Sequence, residues 1–259
     1  MQRVASRILY HFTGGPSPKD DRANFDRLCA ILRSMTVRAC RVGDSRSGIR
    51  TRWDPSRGLL NGEPIEQNVA CLCDLLPEHW PFHARRYGKF GVGVCRSVAV
   101  QWGVRPAIYV PVSKKAHGSW AQQHLLEVST VLEGLERFSA EAPAESVRVV
   151  GAAVTDADDA MGQASSVIKR DYLAFVKFWD VDLPDDHEEN FYLEREWRKF
   201  GDLPLASCLR EIIAPPEYHD ELKAIVEELK VGDRYLIGGI TYSSVENGEA
   251  RSGSCSGSC

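Results

Sequence analysis

The stretch RILYHFT, at residues 7–13, leads directly into the turn-forming triplet GGP at residues 14–16. Side chains alternate between the two faces of an extended chain, so Leu9, His11 and Thr13 share one face and the residues between them share the other. We therefore predict a β-strand that ends at the Gly-Gly-Pro triplet.

Beyond this strand, helical and strand-like periodicities follow one another without a regular β-α-β order. This mixture is typical of an α+β fold. The predicted strands lie at residues 7–13, 68–73, 90–95, 106–112, 191–200, 209–214 and 234–241, and the predicted helices lie at residues 22–35, 77–87, 98–102, 119–138 and 216–230. Residues 147–154 are predicted to form either a strand or a passage from helix to strand. Residues 165–179 are apolar over a wide arc, so any helix there would be largely buried.

The composition is that of a folded chain rather than a disordered or membrane-spanning one. The 259 residues are 43% hydrophobic and 26% charged, and a net charge of −4 disfavours a protein that coats polyanions. No run approaches the roughly 18 apolar residues of a membrane span. Eight cysteines without a recognisable secretory signal indicate reduced thiols in the cytoplasm. We expect one α+β domain at residues 1–245 and a disordered Gly/Ser/Cys tail at residues 246–259.

Two stretches carry opposite charge. Residues 33–57 hold seven arginines against two aspartates, and residues 180–196 hold eight carboxylates against Arg195. The basic stretch is suited either to phosphate binding or to pairing with the acidic stretch, and the sequence does not separate the two.

Glu194 and Glu196 are the first candidates for chemistry. If residues 191–200 form a strand, both carboxylates lie on one face together with Arg198. Crowded carboxylates are typical of sites that stabilise developing positive charge. The alternative is a solvated outer face on which Arg198 offsets the charge.

The segment YGKFGVG, at residues 87–93, has glycines that favour close approach of a ligand or of another backbone. It matches neither a P-loop nor a dinucleotide fingerprint, but an aromatic beside it is suited to stacking on a flat ring. His11 is either a site residue or a structural strand histidine.

Two cysteines and two histidines have a spacing that zinc ligands use. Cys71 and Cys73 share a strand face, and His79 and His83 are four residues apart on a predicted helix. The connection between the pairs is short and Pro81 interrupts the histidines, so we expect buried thiols and no metal site.

Taken in order, these motifs resemble the AbiGi family of bacterial abortive-infection proteins, which are described as antitoxins. The resemblance rests on ILYHFTG (residues 8–14), the helical pattern of Phe25, Leu28, Ile31 and Leu32, VACLCDLLP (69–77), His83, YGKFGVG (87–93), PAIYV (106–110), EREWR (194–198) and EII (211–213).

The same order is similar to a broader set of ADP-ribosyltransferase-like domains. This resemblance implies a split, mostly antiparallel sheet flanked by helices, with a cleft for NAD and no metal. Glu196 would hold the nicotinamide ribose, His11 the adenine-side ribose, and Tyr87 would stack on nicotinamide. The implied catalytic residues are Glu196 and Glu194, and the implied cofactor-binding residues are His11, Tyr10, Thr13, Tyr87 and Phe90.

Two functions follow from these resemblances. The first is a phage-defence enzyme that cleaves NAD at the nicotinamide–ribose bond and transfers ADP-ribose to a macromolecule; a carboxylate beside that ribose would stabilise its oxocarbenium-like transition state. The second is a non-catalytic antitoxin or regulator that binds a partner toxin. The expected partners are a toxin, an antitoxin or a phage protein, with nucleic acid less favoured and no membrane.

Overall fold

A computed structural model describes residues 6–15, 17–40, 49–51, 65–113, 127, 130, 167, 168, 170–184, 187, 190–231 and 240–245. The chain forms two compact units. The first, called the sheet unit, comprises Met1–Ala39, Val69–Ala107 and Phe191–Cys259, and the second unit comprises Cys40–Asn68 and Ile108–Asn190.

The described elements agree in kind with most of the predicted ones. The strands are β1 Ile8–Phe12, β2 Thr36–Val37, β3 Ile49–Thr51, β4 Ile65–Gln67, β5 Val69–Cys73, β6 Gly91–Cys95, β7 Arg105–Pro106, β8 Ile108–Val112, β9 Val176–Asp180, β10 Glu196–Phe200, β11 Leu203–Pro204, β12 Leu209–Ile213 and β13 Thr241–Ser243. The α-helices are α1 Asp21–Ser34, α2 Trp80–Tyr87, α3 Arg96–Gln101 and α4 His219–Val231, and short 3-10 helices cover Pro77–His79, Leu173–Phe175, Phe191–Glu194 and Pro216–Tyr218.

The sheet unit is built on a seven-stranded sheet in the order β13-β12-β6-β1-β5-β10-β7. Its strand pairs are antiparallel, apart from the parallel pair β12 and β13. A small antiparallel pair, β2 with β11, accompanies it. The α+β class and the mostly antiparallel sheet are therefore confirmed.

One face of this sheet, called the apolar face, carries the main core. Leu9, Leu72 and Val92 contribute from the central strands, and residues of α1 and α4 pack in the same cluster. Helix α1 begins where the Asp20 carboxylate accepts a hydrogen bond from the Ala23 amide (2.9 Å) and ends at left-handed Met35.

The opposite face, called the polar face, is covered by α2 and holds a second, smaller cluster. Tyr10, Cys73 and Ile213 face Trp80 and Ala84 of α2 there. The alternation predicted for the first strand is confirmed, because Leu9 belongs to one cluster and Tyr10 to the other.

The continuous strand expected at residues 191–200 is wrong in its first half. Residues Phe191–Glu194 form a 3-10 helix, and Arg195 adopts a left-handed backbone (φ 43°) before β10 begins. The Arg195 guanidinium donates to Asp74 (3.2 Å) and the Arg195 carbonyl accepts from the Asp74 amide (3.3 Å). These contacts hold the bend, so Glu194 and Glu196 are not alternate residues of one strand.

Two further segments differ from what the sequence suggested. Residues 106–112 do not form one strand, because β7 pairs with β10 whereas β8 pairs with β9. At residues 165–179 any helix was expected to be largely buried, but the described helical residues 167, 168 and 170 are exposed or half-buried, and the end of the segment forms strand β9. Short apolar runs do not distinguish helix from strand, and pairing with β8 decides between them here.

The second unit contains two described strand pairs. Strands β3 and β4 pair antiparallel, and β8 pairs parallel with β9 in the register Ile108↔Val176. The buried 3-10 helix Leu173–Phe175 contacts β4.

Several predictions lie outside the described residues. Of the helix at residues 119–138, only residues 127 and 130 are described, and both are helical. Four other predicted features also fall wholly or mostly outside the described residues: the passage at 147–154, the strand at 234–241, the basic stretch at 33–57 with its pairing to the acidic stretch, and the tail at 246–259.

Candidate functional site

Polar side chains form a row across the polar face of the sheet. Tyr10 on β1 lies opposite Cys73 on β5, and Cys73 lies opposite Glu196 on β10. Directly paired residues of neighbouring strands point to the same side of a sheet. The register therefore places these three side chains on one face, although they are far apart in the sequence.

Glu196 is held in an ion pair within its own strand. The Arg198 guanidinium donates from Nε to one carboxylate oxygen (2.8 Å) and from Nη2 to the other (3.4 Å). The two side chains are only 6% and 4% exposed. Shielding from water strengthens this contact, and the two-point geometry fixes the orientation of the carboxylate.

Tyr87, at the end of α2, reaches the carboxylate that precedes β10. Its hydroxyl donates to Glu194 Oε1 at 2.7 Å. Burial raises the pKa of Tyr87 well above its usual range, and the negative charges of Glu194 and Glu196 raise it further. Tyr87 therefore remains a neutral hydrogen-bond donor, and both glutamates lie close enough to influence it.

The other end of the row is a second buried carboxylate. Glu211 on β12 accepts hydrogen bonds from the Tyr10 hydroxyl (3.1 Å) and from the Ser243 hydroxyl. Burial raises the pKa of Glu211, while these two donors act in the opposite direction. Glu211 was not among the site residues predicted from the sequence; the available signal was a single acidic residue among the apolar residues of LREII.

Gly93 on β6 makes the contact between Tyr10 and Glu211 sterically feasible. It pairs with Tyr10 on one side and with Glu211 on the other. A β-carbon at this position would lie 2.9 Å from the Glu211 β-carbon, closer than such contacts occur, and 3.0 Å from the Tyr10 ring, which is tighter than most such contacts. The glycine expected to admit a ligand or another backbone thus admits a neighbouring side chain.

A thiol and an imidazole meet beside the row. His83 Nε2 lies 3.7 Å from Cys73 Sγ, and the Cys73 thiol donates to the Tyr10 carbonyl (3.3 Å). The His83 ring also lies against Tyr87, with ring centroids 4.4 Å apart. In the described part of the chain, no group of three or more His, Cys, Asp or Glu side chains is arranged to hold a metal ion.

His11 lies on the apolar face, away from Glu196. It follows Tyr10 along β1 and pairs with Val92 of the main core. Its Nδ1–H donates to the Cys71 carbonyl (2.8 Å), and burial lowers the pKa of the imidazole. A neutral imidazole that donates to a backbone carbonyl is typical of a structural strand histidine, the alternative to a site residue at His11.

The remaining predicted residues do not all lie on the polar face. Tyr10 joins Tyr87, Glu194 and Glu196 on the polar face. Thr13 is buried and donates to the Asn24 carbonyl (3.0 Å). Phe90 is fully buried against Phe25 and Tyr218. The structure thus brings four of the seven predicted residues together, and their catalytic and NAD-binding roles stay predictions.

A family model covers the segment that supplies most of the polar face. It matches residues 64–220, more than half of the chain, and is described as "Putative abortive phage resistance protein AbiGi, antitoxin". The chain belongs to the AbiGi family. Neither the curated proteins nor the solved structures contain a significant match.

The matched segment of this AbiGi family member contains both buried carboxylates of the row, Glu196 and Glu211, with Cys73 and Tyr87. Tyr10 and His11 precede it, so the resemblance described for residues 8–14 lies outside the matched range. Among the described residues, no helix combines the length and the apolar character needed to cross a lipid bilayer.

Proposed function

We propose that this chain is the antitoxin of a phage-defence pair, which binds a partner toxin and neutralises it without catalysis. The family match over residues 64–220, with its description as an antitoxin, carries the proposal. Binding of a partner requires a stable surface and no reacting group, and a fold does not by itself imply an activity.

The arrangement of the sheet supports a binding role over an NAD-dependent one. An NAD cleft of the kind that the resemblance implies requires His11 and Glu196 to line one pocket. The strand register instead separates them onto opposite faces. In addition, Arg198 occupies both oxygens of the Glu196 carboxylate.

Coexpression tests this function directly. The product of the neighbouring gene should slow bacterial growth when it is expressed alone, and coexpression of this chain should restore growth. The two proteins should copurify. The Glu194→Gln variant removes a charge from the half-buried residue that Tyr87 contacts, and it should restore growth as well as the wild type does.

The NAD-dependent transferase predicted from the sequence is the competing outcome. Purified chain, alone and with extract from infected cells, is incubated with NAD labelled in the nicotinamide ring. The antitoxin proposal expects no release of nicotinamide above the level without protein. Release that is lost in folded Glu194→Gln and Glu196→Gln variants would instead establish the enzyme.

A further inference from the structure

An aromatic and an aliphatic side chain stand exposed together at the end of α3. Trp102 and Val100 are each 47% exposed. The helix ends at left-handed Gly103 (φ 85°), and Val104 returns immediately to the core. This sharp exit holds the two exposed side chains on the surface of the sheet unit.

The Trp102 ring is held in place although half of it faces solvent. Its Nε1–H donates to the Ser207 hydroxyl (3.2 Å), which connects α3 to the turn before β12. Its backbone amide donates to the Ala99 carbonyl (3.0 Å). An aromatic side chain that is already ordered loses little conformational entropy when it is covered by a partner.

Two cationic side chains lie near Trp102, one next to Gly103 and one next to Ser207. The Lys199 methylenes lie beside Gly103, 3.9 Å from where a β-carbon would be. Arg210 donates to the carbonyl of Ser207 (3.2 Å), the same residue that holds the indole. Among the charged groups that the structure describes here, the two cations Lys199 and Arg210 outnumber the one carboxylate that acts on Lys199, that of Asp202.

We propose that this surface, made of Val100, Trp102, Lys199 and Arg210 and called the Trp102 surface, binds an acidic surface of the partner toxin. The inference rests on the proposed antitoxin function and names the face that carries it. Tryptophan and arginine are the residues that contribute most often to protein interfaces. The cations at the rim select a partner of opposite charge and speed its association.

A protein partner fits this surface better than a nucleic acid does. The centre of the surface includes aliphatic Val100, which offers nothing to a phosphate or a base edge. The indole N–H is already bonded to Ser207. The chain as a whole carries a net charge of −4, which opposes binding to a polyanion.

The test is the affinity of the full chain for the purified product of the neighbouring gene, measured by titration. Trp102→Ala should weaken binding by about tenfold or more, which is usual for a central aromatic. Val100→Glu places a negative charge on an exposed helix position and should weaken binding as strongly by repelling an acidic partner. Arg210→Glu reverses the charge beside Trp102, and the resulting loss of binding should be greatest at low salt.

Phe82→Ala is the matched control. Phe82 is also an exposed aromatic beside an arginine, with the Arg85 guanidinium 5.9 Å from its ring, but it lies on α2. Binding by this variant should stay within about twofold of the wild type, as is usual away from a hot spot. Melting temperatures of all variants confirm folding.

The outcomes separate this inference from the proposed function. Failure of the wild type to bind or to restore growth overturns both. If the wild type binds and the folded Trp102→Ala, Val100→Glu and Arg210→Glu variants bind equally well, the Trp102 surface is overturned and the antitoxin function still stands. If the wild type binds a mixed-sequence DNA duplex or RNA strand and these variants do not, the surface is assigned to nucleic acid and the proposal of a protein partner is overturned.

Discussion

The two faces of the seven-stranded sheet differ in what they bury. The apolar face buries aliphatic and aromatic side chains against α1 and α4. The polar face buries Glu196, Arg198 and Glu211 together with apolar residues. Burying a charge costs free energy that its ion pair only partly returns, so such pairs are weak evidence for stability. The comparison indicates that the apolar face stabilises the fold and that the polar face orients specific groups.

Removing one member of the buried ion pair should have the largest effect. Glu196→Ala leaves Arg198 buried without the carboxylate it contacts, and we expect a loss of about 3–5 kcal/mol in the free energy of unfolding. Urea unfolding measures it. The double variant Glu196→Leu/Arg198→Met should be close to the wild type in stability. A double variant as unstable as the single one would show that the polar face does stabilise the fold.

The next residue along β10 provides the contrast from the other face. Trp197 packs against the main core and is half-buried. Trp197→Ala should lower the free energy of unfolding by about 2 kcal/mol, less than the 3–5 kcal/mol of a fully buried aromatic because part of the ring is already in water. An unchanged melting temperature would contradict the placement of Trp197 on the apolar face.

A smaller loss is expected from Tyr10→Phe. The change removes the hydroxyl that donates to Glu211 and keeps the ring in its apolar surroundings. Loss of one donor to a buried acceptor costs about 1–3 kcal/mol, to be measured by urea unfolding. Tyr242→Phe, at a half-buried tyrosine on β13, is the control and should change the stability less.

The pH dependence of Glu211 gives the smallest predicted effect. Burial raises the pKa of Glu211 in the folded chain above its unfolded value of about 4.3, so folding favours the protonated acid. Its contribution to stability is therefore complete below pH ~4 and is lost as the pH rises through the folded pKa. Over that range of pH, the free energy of unfolding of the wild type should fall relative to that of the Glu211→Gln variant. If the stabilities of the two proteins change with pH in parallel, the two hydroxyl donors fully offset the effect of burial on the pKa of Glu211.

Local sequence patterns predicted most elements of the sheet unit. Strand β1, helix α1 and strand β6 each lie within about two residues of their predicted bounds, because side-chain periodicity and turn residues act over short distances. The break at Arg195 was not predictable in this way. Its left-handed backbone depends on contacts with Asp74, a residue more than a hundred positions earlier.

The candidate site was predictable in its residues but not in its grouping. Tyr87, Glu194 and Glu196 were identified by their motifs and do lie near one another. His11 was grouped with them by its order in the chain, and order carries no information about which face of a sheet a side chain occupies. Glu211 was missed because its partners, Tyr10 and Ser243, are brought to it by strand pairing.

The sequence by itself determined the α+β class, the alternation within each strand and the family to which the chain belongs. These depend on neighbouring residues and on motif order. Only the tertiary structure decided which side chains share a face across strands, since register is set by pairing between distant segments, and a shift of one residue exchanges the two faces. That register places Glu196 beside Cys73 and Tyr10 and leaves His11 on the opposite side.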